Sequence, residues 1–410
     1  MFDKFWSGRC FLAGYFVMLT LMLEAATIAP VHCAAEPITG GERFTIASKI
    51  LGEDRTIMVS VPVSYAHGTQ RYPVLYLTDA QWQFDQMRSS AGFLARNGMI
   101  PEVIVVGVAN RDRTHDLYAT RADFKSGGRV ISFPTSGNAD QFLDFVEKEL
   151  IPWAEGKYRT APLRILAGHS AGGNFAFHAM RAKPGLFQAI VAASPWMAWD
   201  DFRELNQLVP FLVGTGLKTR VLFVSSADEG AEMQKGIDAL TAALRLRKDP
   251  GLRWDVASYP GETHDSTVVK SYFDGLRVLF REWNYPRDPQ TNLLVGSLEN
   301  VQAHYARFGE HLGYTQLPPE YVVNELGYQF LHAREAGRAL EVFRYNTQMY
   351  PLSANVWDSL ADALELDGKI DEAAASCRKA IALAEQHGDS NLESLRKHAA
   401  RLAASTAEQK

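Results

Sequence analysis

Cysteine is scarce in this chain: of three residues in 410, Cys10 and Cys33 lie near the start and Cys377 stands alone in the remainder. An intrachain disulfide in the body of the protein is thereby excluded, as is a zinc site built mainly from thiolates. Stability must come from buried apolar surface, which a chain of this size can supply. Basic excess is missing too. Lys and Arg number 42 against 47 Asp and Glu, a formal net charge of −5. Nothing there neutralises a phosphate backbone, so nucleic acid is not an expected partner. No Gly-rich dinucleotide loop and no metal-ligand spacing is present, so neither a cofactor nor a metal is expected. The remaining composition, 47% hydrophobic and 22% charged, is that of a folded globular chain with room for two or three domains.

Lys4 and Arg9 precede an apolar run, Cys10–Leu23, that ends at Glu24; small residues then lead to Cys33-Ala34-Ala35 before Glu36. That order of positive end, apolar middle and small-residue cleavage site predicts a secretory signal over residues 1–35. The run is shorter than the roughly 20 residues a membrane-crossing helix needs. A secreted or periplasmic protein without a stable membrane span is the expectation, with retention as an amino-terminal anchor the alternative.

From Phe44 to about Arg287, short apolar runs alternate with helical patterns. Phe44–Leu51 and Thr56–Pro62 read as an edge hairpin with Asp54 in its turn. Pro73–Leu77, Val103–Val108, Leu163–Ala167, Ala189–Ala193, Val221–Val224 and Trp254–Ser258 suit strands covered on both faces. Ala139–Trp153, Gly173–Ala182, Glu232–Leu246 and Thr267–Trp283 read as helices between or after them. The alternation predicts an α/β domain over 36–288 with a mostly parallel sheet flanked by helices. Over 289–410 only helices are expected, and Leu326/Leu360, Gly327/Ala361 and Ala339/Ala373 recur after 34 residues, the tetratricopeptide spacing. This all-α region is expected to be separable from catalysis and to meet a protein or peptide partner. The competing expectation is that its helices simply cover an apolar face of the first domain.

The sharpest local signal is Gly168-His169-Ser170-Ala171-Gly172-Gly173, placed after a predicted strand and before a predicted helix. The G-x-S-x-G turn forces its serine into a strained backbone and presents Oγ at the top of the sheet, and the small flanking residues let neighbouring chain approach. Ser170 is therefore the expected nucleophile, with the Ala171 N–H and the helix N-terminus available to an oxyanion. In this fold the acid and then the histidine follow the serine. His264, in the loop after the last predicted strand, is the histidine that fits. Asp228 and Glu229, after Val221–Val224, are both placed to orient it, and spacing alone does not separate them.

The chain at this point resembles the esterase D-like group of α/β-hydrolases, which includes trilactone siderophore esterases, feruloyl esterases and S-formylglutathione hydrolases. Tyr72-Pro73-Val74-Leu75-Tyr76-Leu77-Thr78-Asp79 is similar to that group's Y-P-V-L-Y-L-x-D strand, Val106–Arg113 to its V-G-I-x-N-x-x-R segment, and Ser194-Pro195 with Trp199-Asp200 to its S-P-x-x-W-W-D segment. The resemblance implies a second oxyanion N–H on Ala80 or Gln81. Its E-G-x-x-M context, matched by Glu229-Gly230-Ala231-Glu232-Met233, favours Glu229 over Asp228 as the acid. Ala80, Ala198 and the Pro-free Asp116–Ala119 stretch depart from the group's pattern. Arg111 and Arg113, together with Trp196 and Trp199, are expected substrate contacts, set against salt-bridged loop arginines and core tryptophans. A small-molecule ester hydrolase is the first reading; acyl transfer to an alcohol on the same fold and an inert scaffold that uses only its helices are the alternatives.

Overall fold

The computed structural model describes residues 40–410 apart from 127–128, 215, 248–250 and 409–410. The expected signal segment, with Cys10 and Cys33, lies outside the described residues. In chain order the strands are β1 (Glu42–Ser48), β2 (Glu53–Ser60), β3 (Tyr72–Leu77), β4 (Ile104–Val108), β5 (Phe124–Ser126), β6 (Arg129–Ile131), β7 (Thr160–His169), β8 (Ala189–Ala193), β9 (Val221–Ala227) and β10 (Arg253–Tyr259). Eight of them form one sheet in the order β1-β2-β4-β3-β7-β8-β9-β10, and β5 and β6 pair apart as a small hairpin. The sheet is parallel from β4 to β10, with β1 and β2 antiparallel at one edge.

The helices are α1 (Ala80–Arg96), α2 (Arg113–Leu117), α3 (Ala139–Phe145), α4 (Ile151–Lys157), α5 (Ala171–Ala182), α6 (Trp199–Val213), α7 (Ala231–Leu246) and α8 (Thr267–Leu279). They are followed by α9 (Leu298–Leu312), α10 (Glu320–His332), α11 (Ala336–Met349), α12 (Ala354–Leu366), α13 (Ile370–His387) and α14 (Leu392–Glu408). Every residue of β3, β4, β8 and β9 is buried, because helices cover both faces of the sheet. At the edge, β2 buries alternate residues Arg55, Ile57 and Val59. The expected single helix Ala139–Trp153 is divided: Val146–Leu150 widens into a π turn between α3 and α4, just before Pro152, whose nitrogen has no hydrogen to donate. Asp54 is not in the hairpin turn but in β2, opposite Ala47; the turn closes through Gly52 at φ 70°.

Arg55 is a charged residue placed in the core. Its guanidinium bonds both carboxylate oxygens of Asp116 at the end of α2, Nη2 to Oδ1 at 2.8 Å, and Asn110 Nδ2 donates to the same carboxylate at 2.8 Å. Both partners are almost wholly buried, so the edge hairpin is tied to the loop after β4 by a pair that tolerates the loss of neither member.

On the opposite face, α1 and α8 cover the sheet, and the apolar cluster they form does not stop at the end of the α/β region. Trp283 meets Tyr305 and Phe308 at ring-centroid distances of 5.1 and 5.4 Å, and buried Val323, Leu326, Phe343 and Leu402 continue the same cluster into the helical region. The helices there form successive antiparallel pairs. α10 and α12 begin at Glu320 and Ala354, α11 and α13 at Ala336 and Ile370, so both elements recur after 34 residues. Leu326, Leu360, Ala339 and Ala373 all lie in the shared interior.

Because this core is continuous, a chain ending before Leu293 is expected to aggregate or to unfold at a markedly lower temperature, since Phe280 and Trp283 lose their cover. A soluble, fully active truncated protein would show instead that the helices are separable. Asp116→Ala removes the buried member of the pair and leaves Arg55 only the half-exposed Glu53 at 2.6 Å, so it should lower stability by up to about 3–5 kcal/mol, read from urea unfolding.

Candidate active site

Three neighbouring parallel strands, β3, β7 and β8, run into residues with positive φ: Asp79 at 52°, Ser170 at 59° and Ser194 at 39°. None is glycine, and such backbones cost on the order of 1–3 kcal/mol each and concentrate at functional sites. Ser170, at φ 59° and ψ −115°, makes the reversal from β7 into α5. Its glycines have steric reasons: a Cβ on Gly168 would stand 2.8 Å from the Gly172 Cα, and one on Gly173 would stand 2.8 Å from the Pro195 Cβ. The Ser170 N–H donates to Ala193 O at 2.9 Å, and the Ser170 carbonyl accepts from Asn174 N and Trp196 N, both at 3.0 Å.

Ala171 opens α5 and Ala80 opens α1, so both supply first-turn N–H groups that no helical carbonyl can reach. Gly172 lies against Thr78, which brings the two helix starts together above adjacent strands. The side chain of Gln81 is occupied: its Nε2 donates to Asn110 O at 3.0 Å and its Oε1 accepts from Asn110 N at 3.1 Å. Asn110 Oδ1 in turn accepts from the Asp79 N–H at 2.9 Å.

His264 sits in the loop between β10 and α8, its Nδ1 3.3 Å from Glu229 Oε2. The structure thus separates the two carboxylates that spacing left equal. Asp228 serves the loop backbone: its Oδ2 accepts from Gly261 N at 2.7 Å, and its own N–H donates to Glu262 O at 3.0 Å. Burial pushes the Glu229 carboxyl up, but the His264 imidazole, the Ser194 hydroxyl and the Ala227 N–H outweigh it and hold the group below its usual value.

Ser170 and His264 open on one cavity of about 710 Å³, walled by Trp82, Tyr118, Phe124, Phe133, Trp196 and Trp199, with Gln83, Arg113 and His169 among its polar lining. Of the expected substrate contacts, Trp196 and Trp199 line it. Trp199 is itself fixed, stacked on Tyr118 at 3.9 Å and donating its indole N–H to Thr120 O at 3.1 Å. Arg113 also lines it, but its charge is engaged by buried Asp79 at 3.0 Å. Arg111 is exposed and lies outside the lining. The sequence reading missed Trp82, Tyr118, Phe124 and Phe133. Phe124 belongs to a three-residue strand and Phe133 follows another, both too short to show a period, and Trp82 lies in the first turn of a helix that was not anticipated.

Three groups of described residues have donors of the kind a metal accepts. Donor atoms of His169, His264 and Asp265 lie within 4.8 Å of one another, as do those of Asp358, Cys377 and His398 and those of Asp362, Glu365 and His398. In the first, Glu229 already engages one nitrogen of His264. In the two that contain His398, the hydrogen bond it donates to Asp358 raises the imidazole to about 10, and a site that holds its proton so firmly competes poorly for a metal ion.

Residues 48–218 match the family model described as "Putative esterase". The match lies within the α/β part of the chain, which is similar to that esterase family. The chain is 28% identical over 254 residues to the ferri-bacillibactin esterase BesA of Bacillus subtilis, covering 56% of this chain and 86% of that one. It is 26% identical over 290 residues to a siderophore triacetylfusarinine C esterase of Aspergillus fumigatus, covering 61% of this chain and 96% of that one. Among solved structures it is similar to an IroE-like serine hydrolase from Shewanella oneidensis, with a TM-score of 0.67 and 28% identity over 75% of this chain and 99% of that one. The protein is thus an esterase of the α/β-hydrolase type, followed by an all-helical region.

A carboxyl held below its usual value adds stability above about pH 4.5, the unfolded value, and that stability is lost as the pH falls through the lower folded value. Melting temperatures of the wild-type esterase and Glu229→Gln should therefore differ most near neutrality and converge on acidification. A gap that widens in acid would contradict the bonding assigned to Glu229.

Proposed function

We propose that the esterase cleaves its substrate through an acyl-enzyme on Ser170, with His264 as base and Glu229 as the acid that orients it. The observation that carries the reading is the pairing of a strained serine elbow with a histidine on the same cavity, the imidazole's far nitrogen facing a buried carboxylate. Ser170 Oγ attacks the ester carbonyl while His264 Nε2 takes its proton. The developing oxyanion receives the N–H of Ala171 and one from Ala80 or Gln81, and the imidazolium is held by Glu229. His264 then gives the proton to the leaving alcohol, and water repeats the cycle on the acyl group.

For the substrate, two curated relatives are named for siderophore esters. An aromatic-walled cavity of about 710 Å³ suits an ester with flat aryl groups or a bulky lactone better than a small acetate. We assign the substrate to that class, with Trp196 and Trp199 as contacts; Arg113, already paired, acts through Asp79. The amino-terminal residues are read as an export signal, which places the esterase outside the cytoplasm. The helical pairs are read as tetratricopeptide-like units whose main task is to cover the α1/α8 face, with any peptide contact confined to their outer surface.

Ser170→Ala should keep its fold and lose covalent labelling by fluorophosphonate, and His264→Ala should lose at least about 10³-fold in rate. Glu229→Gln should lose far more activity than Asp228→Asn; the reverse order would move the acid role to Asp228. A panel of p-nitrophenyl esters, feruloyl esters and ferric catecholate lactones tests the substrate class, and preference for the lactones is the expected result. An acyl-enzyme resolved by added alcohols rather than water would make the protein an acyltransferase, and failure of fluorophosphonate to label the wild type would leave a scaffold.

A further inference from the structure

We infer that His169, the residue between Gly168 and the nucleophile, is a positioning residue that fixes the base loop to the elbow. The inference rests on the roles proposed above for Ser170 and His264. His169 Nε2 lies 2.8 Å from the main-chain oxygen of His264, a residue that lines the same cavity as Ser170. A carbonyl oxygen can only accept, so the His169 proton is on Nε2 and that nitrogen donates. The bond acts on the base through its own backbone.

The other ties on this loop come from elsewhere. Asp228 bonds Gly261 N and Glu262 O, and Ser266 Oγ accepts from Thr263 N at 2.8 Å. These restrain the loop before and after His264 but not at it. Glu229 restrains only the imidazole. Among the described contacts, the His169 bond is the one that joins the base residue's backbone to the strand carrying the nucleophile, so the connection begins one residue before Ser170 and ends on His264 itself.

The site also needs this group to be uncharged. The two imidazoles lie 4.6 Å apart between ring centroids, and an imidazolium at His169 would oppose the one that forms on His264 during attack. Burial, with the His264 charge next, lowers His169 to about 4, so near neutral pH it is a neutral donor. Its backbone is held as well: Arg113 Nη2 reaches His169 O at 3.4 Å from the ion pair with Asp79.

The test is steady-state kinetics of the full chain carrying His169→Leu, which removes the donor, beside His169→Asn, whose amide can donate. A misplaced base lowers the rate without weakening binding, so His169→Leu should lose about 10- to 100-fold in kcat with KM within about twofold, and fluorophosphonate labelling should slow in parallel. His169→Asn should restore most of that loss. If leucine is not tolerated beside the elbow, His169→Phe against His169→Asn reads the same contrast. Wild-type kcat in a donor-free variant, or equal losses in both variants with KM rising, overturns the positioning role while leaving the base intact. Near-normal turnover by His264→Ala would instead mean that the underlying reading of the base has failed.

Discussion

The backbone of Ser170 lies where few residues other than glycine go, and the rest of the site is arranged around keeping it there. A serine at φ 59° and ψ −115° is held by three main-chain bonds, to Ala193, Asn174 and Trp196, and by glycines at positions where any Cβ would strike neighbouring chain. The cost of that backbone is met by the surrounding parallel sheet, whose central strands are buried throughout. The strands beside it end in the same way, at Asp79 and Ser194, so strain is gathered at one end of the sheet. The placement of Ser170 on the cavity and the first-turn N–H groups of α5 beside it follow from that one reversal.

Polar contacts then carry rigidity outward from the elbow. Asn110 joins the Asp79 turn to the buried Arg55–Asp116 pair, so the antiparallel edge hairpin and the turn after β3 form one bonded unit. The opposite face is stabilised by a different kind of force. There the α1/α8 layer passes without a break into aromatic and aliphatic contacts with the carboxy-terminal helices, centred on Trp283, Tyr305 and Phe308. The site is thus held by directional bonds on one side and by non-directional burial on the other. A hydrolase core and a helical repeat that look like two domains in sequence share one interior.

What the sequence revealed and what it hid divide along physical lines. Long periodic segments were legible: the central strands and the four helices that recur after 34 residues stand within a few positions of where their patterns put them. The elbow was legible because its small residues have a steric cause that repeats in any chain making that turn. The choice between Asp228 and Glu229 was not, since adjacent residues leaving a strand differ only in which way each side chain turns. Spacing carries no information about that; only the family-like context favoured Glu229. The aromatic wall was hidden because Phe124 belongs to a hairpin too short to be periodic and Phe133 follows it, while Trp82 belongs to a helix whose start is set by the αL turn at Asp79. The division at residue 288 was a change of pattern and not a gap in packing, a distinction that only tertiary contacts supply.

The central claim, that this elbow makes Ser170 a covalent catalyst, is tested most directly by trapping the intermediate. Wild-type protein mixed with an activated aryl ester and quenched in acid within milliseconds should carry one acyl group, and peptide mass analysis should place it on Ser170. An acyl group on another residue, or turnover with no acylated species at any quench time, would contradict the account.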